Sequence, residues 1–194
     1  MTNPIVSALQ EAARLLELFA ADPSRTAAIE AMTAATAAAF ADGRKVLICG
    51  NGGSACDAMH FAEEFTGKFK QPRPPLPAIA IADASHLTCV ANDFGFAEVF
   101  ARAVAAYGKP GDICYVLSTS GNSPNILRAL EQARTGGLIT CALLGGDGGK
   151  AKGMADHECI VPAHTSERVQ EVHMLFLHSI IEGVERRLFP ALYG

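Results

Sequence analysis

The beginning of the chain and its remainder carry different patterns of apolar and polar positions. In residues 5–19 and 29–40, apolar side chains recur every three or four positions, which predicts two amphipathic helices. Residues 22–24, Asp-Pro-Ser, break the pattern between them. We expect this helical pair, within residues 1–42, either to pack on the domain that follows or to join the helices of a partner chain during oligomerisation.

After Gly43, short apolar runs alternate with helical patterns. Five apolar runs predict strands at 45–49, 78–82, 112–118, 138–144 and 158–161. Segments with helical spacing lie at 55–69, 84–92, 97–106, 123–133 and 166–188. Apolar strands that alternate with helices are typical of a parallel sheet covered on both faces. We therefore predict one α/β domain over residues 1–194, with its core in residues 43–194 and ligands at the carboxyl ends of its strands.

Composition and charge favour a globular protein and argue against nucleic-acid and membrane partners. The chain has 194 residues, of which 49% are hydrophobic and 19% charged, as in a single globular domain. The net charge of −4 argues against a nucleic-acid partner, which favours a basic face. The N-terminus lacks the pattern of a signal peptide, and the apolar stretch at 172–181 is shorter than the ~20 residues of a membrane span. We therefore expect a cytoplasmic protein without a membrane partner.

A hydroxyl-rich loop follows the third predicted strand. The segment Ser118-Thr-Ser-Gly-Asn-Ser123 offers four hydroxyl groups at the start of a helix. Unpaired backbone N–H groups and the helix dipole both favour an anion there, so the loop suits a phosphate group. The alternative is an ordinary turn in which Ser123 caps the helix.

Two glycine-rich segments resemble nucleotide-binding motifs only in part. Gly50-Asn-Gly-Gly-Ser-Ala55 follows the first strand as in a dinucleotide fold, but Asp83, at the end of the next strand, lies too far along the chain for the ribose-binding acid. The segment at 145–150, Gly-Gly-Asp-Gly-Gly-Lys, lacks the first Gly and the final Ser or Thr of a P-loop. We disfavour dinucleotide binding and expect a flexible surface turn at 145–150.

The helix after the first loop has one polar side and one apolar side. Its polar stripe consists of Asp57, His60, Glu64 and Lys68. Its apolar side, expected to pack on the sheet, consists of Ala55, Met59, Ala62, Phe65 and Phe69. The stripe is either a solvated face or, because His60 and Glu64 are four residues apart, part of a metal site. Chemistry at this stripe would need a cover, and a neighbouring subunit is the natural candidate.

The closing helix carries two further polar candidates. Gln170 and His178 are two turns apart and ~80° apart around the helix axis. His178 lies among apolar neighbours, so it is either a core residue or a functional one. We interpret the four remaining histidines as structural: His86, His157, His164 and His173.

Five segments together resemble one family. They are GNGGSACDAMHFAEEF, RPPLPAIAIADASH, CVANDFGF, GDICYVLSTSGNS and RVQEVHMLFLHSIIE, in order through nearly the whole chain. The set resembles the phosphoheptose isomerases of the SIS (sugar isomerase) superfamily. The resemblance implies a three-layer αβα SIS domain with a five-stranded parallel sheet, preceded by two N-terminal helices. It also implies a homotetramer with active sites between subunits.

The resemblance further implies the site residues. Those expected to hold the sugar phosphate are Asn51, Gly52, Gly53, Glu64, Asn92, Asp93, Ser118, Thr119, Ser120, Ser123 and Gln170. Those expected to hold one divalent metal per subunit, Zn²⁺, are His60, Glu64, Gln170 and His178. Glu64 and His178 also match the catalytic base and acid. Two positions differ from the familiar pattern, because Lys68 replaces an Arg and Glu167 replaces an Asp.

The function expected from this resemblance is aldose–ketose isomerisation. The enzyme would convert D-sedoheptulose 7-phosphate to D-glycero-D-manno-heptose 7-phosphate through an enediol or enediolate. Two alternatives stay open: a non-catalytic SIS protein that associates with the replication initiator, and another sugar-phosphate isomerase of the superfamily.

Overall fold

The computed structural model describes residues 3–193 and contains one parallel sheet between two layers of helices. The strands are β1 (Val46–Gly50), β2 (Ala78–Ala80), β3 (Ile113–Ser118), β4 (Ile139–Gly145) and β5 (His157–Val161). The α-helices are α1 (Pro4–Ala20), α2 (Pro23–Ala41), α3 (Gly53–Thr66), α4 (Ala84–Phe94), α5 (Val99–Tyr107), α6 (Pro124–Thr135) and α7 (Ser166–Leu188). Short 3₁₀ turns lie at Phe96–Glu98, Gly149–Ala151 and Pro190–Leu192.

The sheet separates two hydrophobic cores. Its order is β2-β1-β3-β4-β5, with all neighbouring strands parallel. Successive side chains of a strand point to opposite faces, so Ile48 packs with α1, α2, α3 and α7, whereas Leu47 packs with α4, α5 and α6. The predicted three-layer α/β fold with five parallel strands is therefore confirmed. All β–α loops that follow the strands meet at one carboxyl edge of the sheet.

The two N-terminal helices differ in how they are buried. Each begins with a Pro at its first turn and a side-chain cap, from Asn3 for α1 and Asp22 for α2. Helix α2 packs on the chain's own sheet, where the hydroxyls of Thr36 and Tyr115 lie 2.8 Å apart. Helix α1 leaves an apolar row on the surface, with Ile5 69% and Leu9 67% exposed. A role of this pair in oligomerisation stays a prediction.

The buried face of α3 differs from the predicted one. Met59 is 46% exposed, and the side that packs on the sheet consists of Ala58, Phe61, Ala62 and Phe65. These positions follow the i, i+3, i+4, i+7 spacing, so the prediction was rotated around the helix axis. The helix also ends at Thr66, and Lys68 lies exposed beyond it. Within residues 3–193, none of the helices combines the length and apolar content that crossing a membrane requires.

Candidate active site

The loops after β1 and β3 are joined by a pair of side-chain amides. Asn51 Nδ2 donates to Asn125 Oδ1 at 2.9 Å, and Asn125 Nδ2 donates to Asn51 Oδ1 at 2.8 Å. Asn125 is buried in the first turn of α6. The sequence analysis missed it, because its partner lies 74 residues away and no local spacing marks such a pair. The amide pair holds the glycine-rich loop and the hydroxyl-rich loop at a fixed separation.

The hydroxyl-rich loop is folded by its own side chains. Ser118 Oγ accepts a hydrogen bond from the Gly121 N–H at 3.0 Å, and Ser120 Oγ accepts from the Asn122 N–H at 3.2 Å. Ser123 precedes α6, but its side chain makes no capping hydrogen bond. The alternative in which Ser123 serves as a helix cap therefore lacks its defining contact, and its hydroxyl is available to a ligand.

The turn at 145–150 packs against this loop. Gly121 has a φ of 62°, and a Cβ atom at this position would lie 1.9 Å from the carbonyl oxygen of Gly148. The Lys150 N–H also donates to Asn122 Oδ1 at 3.1 Å. The turn is therefore not an independent surface feature, as we had expected, but a support of the hydroxyl-rich loop.

Two cavities adjoin the loop. A small one of about 40 Å³ is lined by Asn51, Ser54, Leu117, Ser118, Thr119, Ser120 and Ser123. An open cleft of about 660 Å³ shares Thr119 and Ser120 with it and extends to Thr165 and Ser166 at the start of α7. Thr119 Oγ1 and Ser166 Oγ lie 3.1 Å apart across this cleft. Hydroxyl groups from two helix starts thus face the same open space.

A cluster of three potential metal ligands lies between α3 and α7. His60 Nε2 lies 3.2 Å from Glu64 Oε1, and the rings of His60 and His178 are 5.0 Å apart in an edge-to-face arrangement. One donor atom from each of His60, Glu64 and His178 lies within 4.8 Å of the others. Helix α7 of the same chain contributes His178 to this cluster, while the His60 side chain stays 43% exposed. A neighbouring subunit as the cover of the polar stripe stays a prediction.

The electrostatics keep His178 neutral. Burial and the nearby His60 lower the pKa of His178, although the Glu64 carboxylate opposes them. A neutral imidazole can bind a metal or accept a proton. Asp57, one turn before His60, has a buried Oδ2 with no hydrogen-bond partner in the described part of the chain, and burial raises its pKa.

The donor set fits a catalytic zinc ion. Two imidazoles and one carboxylate are ligands that Zn²⁺ prefers, and three protein ligands leave a fourth position for water or substrate. The side chain of Gln170 lies against the start of α3, because a Cβ atom added to Gly53 would lie 2.6 Å from Gln170 Oε1. Gln170 is eight residues before His178, or about 12 Å along α7. Its role as a metal ligand stays a prediction.

The structure also separates Asn92 and Asp93 from the other candidates. Both are exposed in the last turn of α4, where Asn92 Nδ2 donates to Asp93 Oδ1 at 2.7 Å. Helix α4 packs in the layer opposite to α3 and α7. These two residues do not meet the metal-ligand cluster within one chain.

Comparisons with known proteins identify the family of this chain. The SIS domain family model matches residues 9–145. The chain is 54% identical to a phosphoheptose isomerase of Fusobacterium nucleatum over 189 residues, which is 97% of each chain. The chain belongs to the phosphoheptose isomerases of the SIS domain family. The predicted membership of this enzyme family is thereby confirmed.

Other phosphoheptose isomerases give the same result. The chain is 52% identical to that of Vibrio cholerae over 185 residues, covering 95% of this chain and 97% of the relative. The structure of a phosphoheptose isomerase from Francisella tularensis superposes with a TM-score of 0.90 at 37% identity, covering 96% of this chain and all of that one. The structure of a phosphoheptose isomerase from Neisseria gonorrhoeae superposes with a TM-score of 0.87 at 34% identity, covering 93% of this chain and 96% of that one.

The two departures from the phosphoheptose isomerase pattern lie at different places. Lys68 is exposed beyond the end of α3. Glu167 lies in the first turn of α7, beside the open cleft. A hydrogen bond from its own backbone N–H and another from Thr165 lower the pKa of Glu167, so this side chain is anionic near neutral pH. Glu167 directly follows Ser166, which lines the open cleft.

Proposed function

We propose that the chain isomerises D-sedoheptulose 7-phosphate to D-glycero-D-manno-heptose 7-phosphate. The observation that carries this proposal is the convergence of His60, Glu64 and His178 from two helices that are more than one hundred residues apart in sequence. A non-catalytic SIS protein that associates with the replication initiator would not need these three donors together. We infer a cytoplasmic enzyme with a sugar-phosphate substrate and no nucleic-acid partner.

Glu64 is the proposed base. Glu64 takes the proton from C1 of the ketose and returns it at C2. His178 acts as acid and base on the sugar oxygens bonded to these carbons. Positioned acids and bases contribute about 10²–10⁴-fold each. His60, Glu64 and His178 would hold a divalent ion, which would supply charge stabilisation to the sugar oxygens. The Glu64 side chain is only 16% exposed, which limits access of water to the transferred proton.

The phosphate group is proposed to bind at the hydroxyl-rich loop. Ser118, Thr119, Ser120 and Ser123 surround the small cavity at the start of α6. The helix dipole and the uncapped first turn of α6 favour an anion. Asn51 lines the same cavity, and Asn51, Gly52 and Gly53 at the start of α3 are proposed to hold the sugar.

The assembly is proposed to be a homotetramer with active sites between subunits. Helix α3 begins at Gly53 in the glycine-rich loop, which the Asn51–Asn125 amide pair joins to the hydroxyl-rich loop. From this start His60 lies about 10 Å and Glu64 about 16 Å further along the helix axis. Asn92 and Asp93 are exposed on α4, in the layer opposite to α3 and α7, so we infer that they serve the site of a neighbouring subunit. The exposed apolar row on α1, which includes Ile5 and Leu9, is proposed to be buried in this assembly.

The proposal is tested by direct assay of the purified protein. We expect it to convert sedoheptulose 7-phosphate, and to lose most of this activity after treatment with a chelator and recover it with Zn²⁺. Another sugar-phosphate isomerase of the superfamily would instead prefer a pentose or hexose phosphate in the same assay.

The base is tested by Glu64→Gln, with Glu63→Gln as the matched control. Glu63 is the adjacent residue and its side chain is 65% exposed. We expect Glu64→Gln to lose at least a hundredfold in kcat, while tetramer formation and inorganic-phosphate binding stay intact. Isomerisation at the wild-type rate by Glu64→Gln would remove Glu64 from the role of base.

A further inference from the structure

A fully buried ion pair joins the end of α3 to α7. Arg73 Nε donates to Glu185 Oε1 at 2.7 Å, and both side chains are 0% exposed. Arg73 lies between Pro72 and Pro74 in the connector to β2. Prolines fix their own φ and restrict the preceding residue to extended conformations, so the backbone on both sides of Arg73 is stiff.

The same guanidinium group completes the last turn of α3. Its Nη2 donates to the carbonyl oxygen of Glu64 at 2.6 Å, and its Nη1 donates to that of Phe65 at 2.6 Å. Carbonyl groups in the last turn of a helix lack partners within the helix. A cation at this end also interacts favourably with the helix dipole. Arg73 therefore holds the backbone of the residue whose side chain is the proposed base.

The other half of the pair is held in place on α7. Tyr193 donates its hydroxyl hydrogen to Glu185 Oε2. Burial and this hydrogen bond raise the pKa of Tyr193 to about 12, so the hydroxyl keeps its proton. Glu185 follows His178 by seven residues, which is about two helical turns and brings it to the same side of α7.

The network thus spans the two helices that carry the metal-ligand cluster. One end of the Arg73 guanidinium group binds the backbone of Glu64, and the other binds the helix of His178. Burial of an ion pair costs desolvation free energy and is by itself weak support for stability. A rigid fork with fixed donor directions is, however, suited to setting the distance between two elements.

We propose that Arg73 is a positioning residue that sets the spacing of His60 and Glu64 on α3 relative to His178 on α7. This inference rests on the proposed function, because it concerns the same cluster. Lys70 and Glu182 also join these segments, but both are partly exposed, and an exposed pair contributes little to geometry. The spacing therefore depends on Arg73 and Glu185.

The test is Zn²⁺ affinity of the metal-free full-length chain, measured by competition with a chromophoric chelator. Arg73→Lys keeps the charge but cannot reach two carbonyl groups and a carboxylate at once. We expect its Zn²⁺ affinity to fall about 10–100-fold, the usual effect of losing a group that orients metal ligands. We also expect kcat to fall and KM to change little, because the phosphate loop is untouched.

Asp112→Asn is the matched control. Asp112 forms a buried ion pair with Lys45 next to the first residues of β1 and β3, at the edge of the sheet away from the cluster. We expect this variant to lower the free energy of unfolding without changing Zn²⁺ affinity. An equal loss of affinity in both variants would mean that general destabilisation, and not positioning, is responsible.

A second variant separates stability from spacing. In Arg73→Met/Glu185→Met, apolar side chains replace the pair, so stability should recover. The Glu64 carbonyl still loses its Arg73 donor, and the Phe65 carbonyl keeps only the Leu76 N–H. We expect low Zn²⁺ affinity to persist. Wild-type affinity in this double variant, or in Glu185→Gln if Arg73→Lys does not fold, would overturn the inference alone. A wild-type chain that binds no Zn²⁺ would overturn the proposed metal site and the inference with it.

Discussion

Asp112 and Ser123 both stand next to a strand of the same sheet, but at opposite edges. At the amino edge, Asp112 accepts hydrogen bonds from the N–H groups of Lys45 and Lys109 at 3.0 and 2.8 Å. Asp156 similarly accepts from the Thr140 N–H and hydroxyl, both at 2.8 Å. At the carboxyl edge, Ser123 begins a helix without capping it. Polar groups bonded within the chain stabilise the fold, whereas those left available can bind a ligand.

The largest expected effect comes from breaking the amino edge. Asp112→Asn removes the charge partner of Lys45 and one of the carboxylate oxygens that accept from the Lys45 and Lys109 N–H groups, so we expect a loss of about 3 kcal/mol in the free energy of unfolding. The measurement is urea unfolding at pH 7, with KM for the sugar phosphate as the second readout. A raised KM in this variant would contradict the assignment of fold stability to the amino edge and ligand binding to the carboxyl edge.

The next effect concerns His173, a histidine beneath the carboxyl edge that is bonded within the chain. Its Nε2 lies 3.1 Å from the Leu144 carbonyl oxygen, and burial lowers its pKa to about 4. Below pH 6.5 the unfolded chain binds a proton that the folded chain does not bind until about pH 4, so stability falls over this range. Between pH 7 and pH 5 we expect a loss of about 2 kcal/mol from this residue.

The control for His173 is His173→Gln, which keeps an amide donor for the Leu144 carbonyl but does not titrate. Urea unfolding of both proteins at pH 7 and pH 5 isolates the contribution of this residue, because all other titrating groups are shared. The same loss between the two pH values in both proteins would show that His173 is not the cause.

The Asn51–Asn125 amide pair is expected to contribute to both stability and binding, since it joins two loops of the fold and borders the proposed phosphate site. Asn125→Asp removes the donor to Asn51 and adds a negative charge beside the hydroxyl-rich loop. We expect a loss of about 2 kcal/mol in the free energy of unfolding. We also expect KM for the sugar phosphate to rise more than tenfold. Destabilisation with an unchanged KM would assign Asn125 to the fold alone.

The smallest effect on stability, with a clear effect on binding, is expected at Ser123. Because its side chain makes no capping bond, Ser123→Ala should change the free energy of unfolding by less than about 0.5 kcal/mol. Loss of one hydrogen bond to a charged phosphate should raise KM about tenfold. Ser24→Ala, in α2, is the control with unchanged KM. A stability loss above about 1 kcal/mol at Ser123 would instead identify a helix cap.

The pattern of apolar residues predicted the fold well because its signals are local. The limits of α7 were predicted without error, and all five predicted strands are present. The spacing of His60 and Glu64 on one helix indicated a possible metal site, and the resemblance to the family added His178. Local periodicity also has a limit, since it gave the wrong buried face for Met59.

Contacts between distant segments could not be predicted in this way. Arg73 appears in the sequence only as one residue of a proline-rich connector, and its partner Glu185 lies 112 residues later. Asn125 likewise has no neighbour in sequence that marks its bond to Asn51. The place of Gln170 against Gly53, away from His178, depends on the parallel packing of α3 and α7. Such pairings follow from tertiary packing, and spacing along the chain carries no trace of them.

Helix α3 starts at Gly53, in the glycine-rich loop that the Asn51–Asn125 amide pair joins to the hydroxyl-rich loop, and it carries the proposed base near its other end. The length of α3 therefore sets the distance between the two. A residue inserted between Gly53 and His60 would turn every later side chain by about 100° and move it by about 1.5 Å. The imidazole and carboxylate would then face the sheet or the solvent. Natural variation in this segment should consequently keep its length constant.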